Sequence, residues 1–226
     1  SRKTVVSILM RRPVKGAGYT VDDMADDGAG LMDALGFESM HVVGMSMGGM
    51  ISQALTINHP TKVRSLCSVM SNTGDRRNGG ISLKLIRAIG LPKPPSTKQA
   101  AVDDSLRLWR HISGDHFDAD ETRQRAEAGL ERSWCPDGVM RQVAAIGGSD
   151  DRTAGLRNVK APSLVIHGLK DLLVAPSGGT ATAAAIPGSR LLMFPDMGHN
   201  LPEPRQDEMV AAIVRNTLRS SAGNGV

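Results

Sequence analysis

The sequence predicts an α/β fold with a mostly parallel sheet, on three observations. Short β-branched or apolar runs near 41–43, 63–70, 162–168 and 189–194 alternate with amphipathic or Ala-rich helical stretches, the order expected of parallel strands joined by crossover helices. Where the first run ends and a helix begins stands Gly44-x-Ser46-x-Gly48, a serine flanked by glycines at two-residue spacing. The alternation breaks once, from 71 to 160, where helical patches appear and no strand pattern does.

Composition narrows the classes. With 226 residues and 40% apolar content the chain can bury a core, in one domain carrying an insertion. Aromatics are only 3%, so Leu, Ile, Val, Met and Ala must fill it. No run of about 18 apolar residues occurs, so no membrane-spanning segment is expected. Thr4–Met10 is too short and too polar for the apolar region of a signal peptide. Of the 27 basic residues, five (Arg2, Lys3, Arg11, Arg12 and Lys15) lie in the first fifteen positions with no acid among them, leaving 22 against 23 acidic side chains. The net charge of +4 is thus a basic N-terminal arm rather than a basic face, and nucleic acid is not an expected partner. Cys67 and Cys135 are too few for a disulfide framework or a metal cluster, and Cys67, inside an apolar run, is expected to be buried. A reducing, cytoplasmic setting is the default expectation.

Taken in order, Thr4–Leu9 is a candidate strand and residues 11–18 read as loop. Thr20 and Asp23 then form a capping box, and Asp22, Asp23, Asp26 and Asp27 favour the positive end of the helix that follows. Val21, Met24, Gly28, Leu31 and Leu35 are its expected inward face, with Gly36 as its stop. His41–Val43 is a strand ending at Gly44, and Met47–Asn58 a helix ended by His59-Pro60. Val63–Met70 reads as a buried parallel strand. Between 71 and 160 come an apolar patch (Ile81, Leu85, Ile86, Ile89), a rigid connector at 91–95 and helices at 102–112 and 121–134. Leu106, Trp109 and Trp134 there are read as packing ahead of pocket. Strands at Pro162–Gly168 and Ser189–Phe194 enclose an Ala-rich helix at Ala175–Ile186. Glu203–Leu218 is the last helix, with Met209, Val210, Ile213 and Val214 inward, and Ser220–Val226 a disordered tail. The expected division is 1–70 and 161–219 for the core, 71–160 for a helical cap insertion and 220–226 for the tail.

The chemistry starts from Ser46. A nucleophile on a tight strand-to-helix turn needs a strained backbone, and neighbours without a β-carbon where strand and helix crowd together. Its hydroxyl also needs a base, usually histidine near neutral pH. His41, His59, His111, His116 and His167 fall at strand starts, helix ends, in the insertion or inside a strand exit. His199 alone lies in a loop after the last strand, where α/β sheets place their sites. An orienting carboxylate is supplied by Asp171, past the end of the 162–168 strand; Asp196 competes, but three residues from His199 it reads more naturally as a turn residue. Asp115, Asp118 and Asp120 near His111 and His116 lack metal-ligand spacing and read as a solvated acidic turn.

With Ser46, Asp171 and His199 in that chain order, the sequence resembles a serine-dependent α/β-hydrolase, similar to actinobacterial esterases and lipases and to aclacinomycin methylesterase-like proteins. The resemblance rests on residues 19–25, 31–36 and 44–50, on Leu164–Gly168 with Asp171, and on Met197-Gly198-His199, and spans about residues 19–218. It implies an α/β-hydrolase-type sheet with a helical cap, a small-molecule or lipid-like ester substrate and no cofactor. It also implies acyl transfer: Ser46 attacks, His199 takes its proton, Asp171 holds the imidazole and the Met47 amide is one oxyanion donor. Ahead of Thr20 the family has about four strands and a His-Gly loop, which residues 1–18 do not match. The expectation is a shortened sheet with the strand before Ser46 at its edge, and a catalytically poor remnant or binding module stays open as an alternative. Thioester or C–C bond hydrolysis would use the same three residues.

Overall fold

Among the described residues four strands, β1 (Met40–Met45), β2 (Val63–Val69), β3 (Ser163–Gly168) and β4 (Arg190–Phe194), form one sheet in the order β1-β2-β3-β4, every pair parallel. They are seen in a computed structural model that describes Ser7, residues 12–90 and residues 93–220. The candidate strand at 4–9 (Ser7 aside), the first two residues of the 91–95 connector and all of the tail but Ser220 lie outside the described residues. Among the described residues β1 is an edge, as expected, and its Val43 is 52% exposed.

The helices are α1 (Val21–Ala34), α2 (Met47–Asn58), α3 (Leu83–Ile89), α4 (Lys98–Ile112), α5 (Ala119–Arg132), α6 (Gly138–Gly148), α7 (Thr153–Leu156), α8 (Ser177–Ala185) and α9 (Glu203–Leu218). Helices α3–α7 lie between β2 and β3, with no strand between them among the described residues. The details differ from the sequence reading. Trp134 falls outside α5 and is partly exposed, while α6, bounded by Gly138 and Gly148, was not anticipated because glycine weakens the helical signal.

Both caps of α1 form as read. The Thr20 and Asp23 side chains satisfy each other's backbone amides, and at the far end Gly36 (φ +74°) and Phe37 donate back to Asp33 O and Met32 O. The inward face matches only in part. Val21, Ala25, Ala29 and Met32 are buried, whereas Leu31 and Leu35 are exposed. A stripe of small residues lets α1 lie close on α2, and the larger leucines fall one row away.

Adjacent residues of β2 serve opposite faces of the sheet. Cys67 and Val69 pack with Leu164, Ile166, Phe194 and the α9 residues Met209 and Ala212, while Leu66 packs with Leu156, Val159 and Ile186. Burial pushes the Cys67 thiol up to about 12, so it behaves as an apolar filler. On α9 the expected inward pair Val210 and Val214 is exposed. The face meeting the sheet is Met209, Ala212, Ile213 and Asn216, one row round the helix. Asn216 looks out of place there until its partners are counted: its Nδ2 donates to Leu66 O at 3.0 Å and to Pro162 O at 3.2 Å, tying α9 to the middle of β2 and to the start of β3. Asn216→Leu leaves both carbonyls without that donor and is expected to destabilise the protein by about 1–3 kcal/mol, read as a lower denaturant midpoint at unchanged slope.

Candidate active site

Ser46, between β1 and α2, has φ +55° and ψ −121°, a conformation costly for a side-chain-bearing residue. It is held by its N–H donating to Val69 O at 2.8 Å and by its carbonyl accepting from Gly49 and Met50 at the start of α2. A β-carbon at Gly44 would collide with Gly48 O and Ser52 Oγ, so α2 can rest on the end of β1 only if residue 44 is glycine. Gly48 does not share that constraint, since the space beside it is open. The second crowded glycine is Gly49, where a β-carbon would lie 2.7 Å from Ser71 Cβ. The turn therefore depends on Gly44 and Gly49, not on the Gly44/Gly48 pair that the motif suggests. As the first residue of α2, Met47 has an amide with no partner inside the helix.

Asp171 and His199 leave the same end of the sheet, after β3 and after β4, and the structure brings them together. His199 Nδ1–H donates to Asp171 Oδ2 at 2.7 Å, with both side chains almost wholly buried. The other carboxylate oxygen accepts the Leu173 and Val174 amides, each at 2.9 Å. His167 Nε2 lies 3.5 Å from Asp171 Oδ2 and 2.9 Å from Val174 O. Since Val174 O can only accept, His167 Nε2 carries the proton. Burial pushes the Asp171 carboxyl up, but the hydrogen bonds from His167, His199 and Val174 outweigh it and hold it below the ordinary carboxylate range. With its proton on Nδ1, His199 keeps an Nε2 that bonds to nothing among the described residues.

Ser46 stands at the same end of the sheet, half-buried, and makes no side-chain hydrogen bond among the described residues. Met45 beside it and Met197, two residues before His199, pack into one apolar cluster with Met70. Met70 follows β2 in a second left-handed turn (φ +47°), which nothing in the sequence announced.

The other weighed residues find different partners. Asp196 is held by Arg205 (Nη2 at 2.8 Å) and His116 (Nε2 at 2.8 Å), which keep it ionised far below the usual range. Asp115 pairs with Lys170 and Asp118 caps α5. His41 meets Ser65 Oγ and His59 meets Asp26. Two roles escaped the sequence reading. One is that of His167, weighed only as a base, whose place beside Asp171 was signalled by a polar side chain inside a fully buried strand four residues before it. The other is that of Arg152, which is buried and lowered to about 10 by that burial, and donates to Gln53 Oε1 and Asn72 O. Trp109 and Trp134, read as packing, line cavities of about 270 and 840 Å³ in the insertion; the smaller also reaches Asn200 and Leu201 beside His199.

Two outcomes follow. Gly44→Ala is expected to abolish folding or to unseat α2, whereas Gly48→Ala is expected to leave the thermal midpoint equal or higher, by up to about 1 kcal/mol in stability. The Asp171 carboxylate, with its folded value depressed, contributes stability fully present above a pH of about 4. That contribution is lost as pH falls through the lower folded value, so the stability gap between the parent and Asp171→Asn is expected to narrow in acid unfolding curves below that pH.

Comparison with known proteins agrees with this architecture. The family description "alpha/beta hydrolase fold" matches residues 9–109. Rhodomycin D methylesterase DauP of Streptomyces sp. (strain C5) is 26% identical over 219 residues, covering 88% of this chain and 74% of its own. A RutD protein of Caulobacter sp. (strain K31) is 30% identical over 198 residues, covering 87% of this chain and 72% of its own. Among solved structures, the meta-cleavage product hydrolase CumD of Pseudomonas fluorescens IP01 superposes with a TM-score of 0.69 at 19% identity, over 91% of this chain and 74% of that one, a likeness of fold. With a strained serine after β1, a buried Asp–His pair after β3 and β4, and these relatives, the chain belongs to the α/β-hydrolase family.

Proposed function

We propose that this carboxylic-ester hydrolase works through an acyl-enzyme formed on Ser46. The reading is carried by one observation: His199 donates from Nδ1 to a buried, fully hydrogen-bonded Asp171, which leaves Nε2 as a base facing no protein partner. Ser46 Oγ attacks the ester carbonyl carbon as His199 Nε2 takes its proton. Negative charge gathers on the carbonyl oxygen, and the Met47 amide at the positive end of α2 is the donor aimed at it. The intermediate collapses, the C–O bond to the alcohol breaks, and His199 returns the proton to the departing oxygen. Water then gives a proton to His199, its oxygen joins the acyl carbon, and Ser46 leaves with the proton restored. Asp171 stays ionised throughout and holds the imidazole tautomer.

The substrate class is a small-molecule or lipid-like ester, and the helical insertion at 71–160 serves as the cap over the site. The support is the methylesterase named among the relatives and the two cavities within the insertion. Mass spectrometry after a fluorophosphonate probe is expected to find Ser46 labelled. Ser46→Ala is expected to lower kcat on a p-nitrophenyl ester by on the order of 10⁴-fold or more. Folded protein that neither labels nor turns over esters would sink the reading and leave a binding module. Faster turnover of acyl-CoA than of oxygen esters would move the substrate to thioesters with the same three residues.

A further inference from the structure

Five residues of the insertion, Ile112 to His116, run from the end of α4 across the loops that hold both Asp171 and His199. Ile112 O accepts the amide of His199 itself at 2.5 Å. Gly114 forms an antiparallel bridge with Met197, and the Asp115 amide donates to Asp196 O at 3.0 Å. His116 Nε2 meets Asp196 Oδ2 at 2.8 Å, while His116 O accepts Asn200 Nδ2 at 3.1 Å. On the other side Asp115 takes Lys170, the neighbour of Asp171, with both oxygens at 2.5 Å. The Lys170 amide in turn donates to Met197 O, closing the set.

The approach is closer than side chains allow. Gly114 has φ +64°, and a β-carbon on it would lie 2.5 Å from Asp196 O and 2.6 Å from Gly198 N. A β-carbon on Gly198 would overlap Ile112 O and lie 2.5 Å from Gly114 N. Two backbones, one from the insertion and one from the loop after β4, touch glycine to glycine one residue before His199. The end of β3 also lies close to this loop, a β-carbon on Gly168 falling 2.2 Å from Met197 O. The sheet delivers the β4 loop, but the strap's own carbonyl takes the amide of the histidine.

We propose that Ile112–His116 is a positioning strap that sets where His199 stands, with Gly114 and His116 as its principal residues. This rests on the reading of His199 as the base. The strap touches no reacting atom; it acts by fixing the backbone from which the imidazole projects, and Arg205 holds Asp196 at its other end of the His116 contact. Because the strap continues from α4, a shift of the insertion is transmitted to the imidazole.

The test compares Gly114→Ala, His116→Leu and His116→Gln with the parent, each first checked for a cooperative thermal transition. Two readouts are taken: kcat and KM on a p-nitrophenyl ester, and the downfield imidazole N–H proton resonance assigned to His199 Nδ1 by its loss in His199→Ala. Gly114→Ala and His116→Leu are expected to lower kcat by about 10- to 100-fold, with KM within about twofold, and to shift or broaden the resonance. His116→Gln, which keeps a donor for Asp196, is expected to restore both. Folded variants with the parent's resonance and kcat would overturn the proposal, as would a rise in KM at unchanged kcat. If Gly114→Ala does not fold, the His116 pair decides alone. If the parent turns over no ester, the function reading fails, and the resonance still decides the strap.

Discussion

The closeness of α2 to the end of β1 is the contact on which the site depends, and it exists because residue 44 lacks a side chain. With Gly44 in place, Gly48 O and Ser52 Oγ fill the volume that a methyl group would take. The strand must then hand over to the helix within one residue, and that residue is driven to φ +55°. The strained serine is thus a product of strand–helix packing. Hydrogen bonds on both sides hold it there: its amide reaches Val69 on the neighbouring strand, and its carbonyl opens the helix.

A second constraint acts on the acid. A buried carboxylate tends to take up a proton unless donors surround it. Asp171 has two backbone amides on one oxygen and the two imidazoles of His167 and His199 on the other, and this enclosure keeps it ionised away from water. Asp196 reaches ionisation by another route, through an arginine and a histidine at a more open position, and its hydrogen bonds go to these rather than to His199. The two aspartates are three and twenty-eight residues from the same histidine, and environment rather than chain distance separates their parts.

Much of the fold was legible because it is written in local terms. Strand and helix periods differ, so the alternation around Ser46 and the order β1, α2, β2 could be read directly, and the boundaries of α2 and α9 match to the residue. Helix faces were less legible. A stripe of alanines at 25 and 29 carries little hydrophobic signal next to Leu31 and Leu35, yet small size decides which side of α1 can approach α2. Of the candidate site, Ser46 was named from its glycine spacing at a strand-to-helix turn and Asp171 and His199 from their loop positions and chain order, whereas His116 was set aside, because its partner lies 80 residues away. Pairings of that span leave no periodic trace in the chain. The value of Gly49 over Gly48 was hidden for the same reason, since only the fold brings Ser71 against it.

The glycine-to-glycine contact between residues 114 and 198 bears on how freely the insertion could be exchanged. A helical segment taken from another hydrolase and joined to the ends of β2 and β3 would still have to bring a bare backbone to lie against Gly198, at a point far from those junctions in sequence. The insertion and the core are therefore not interchangeable modules here: they share a fit whose two halves have to be exchanged together.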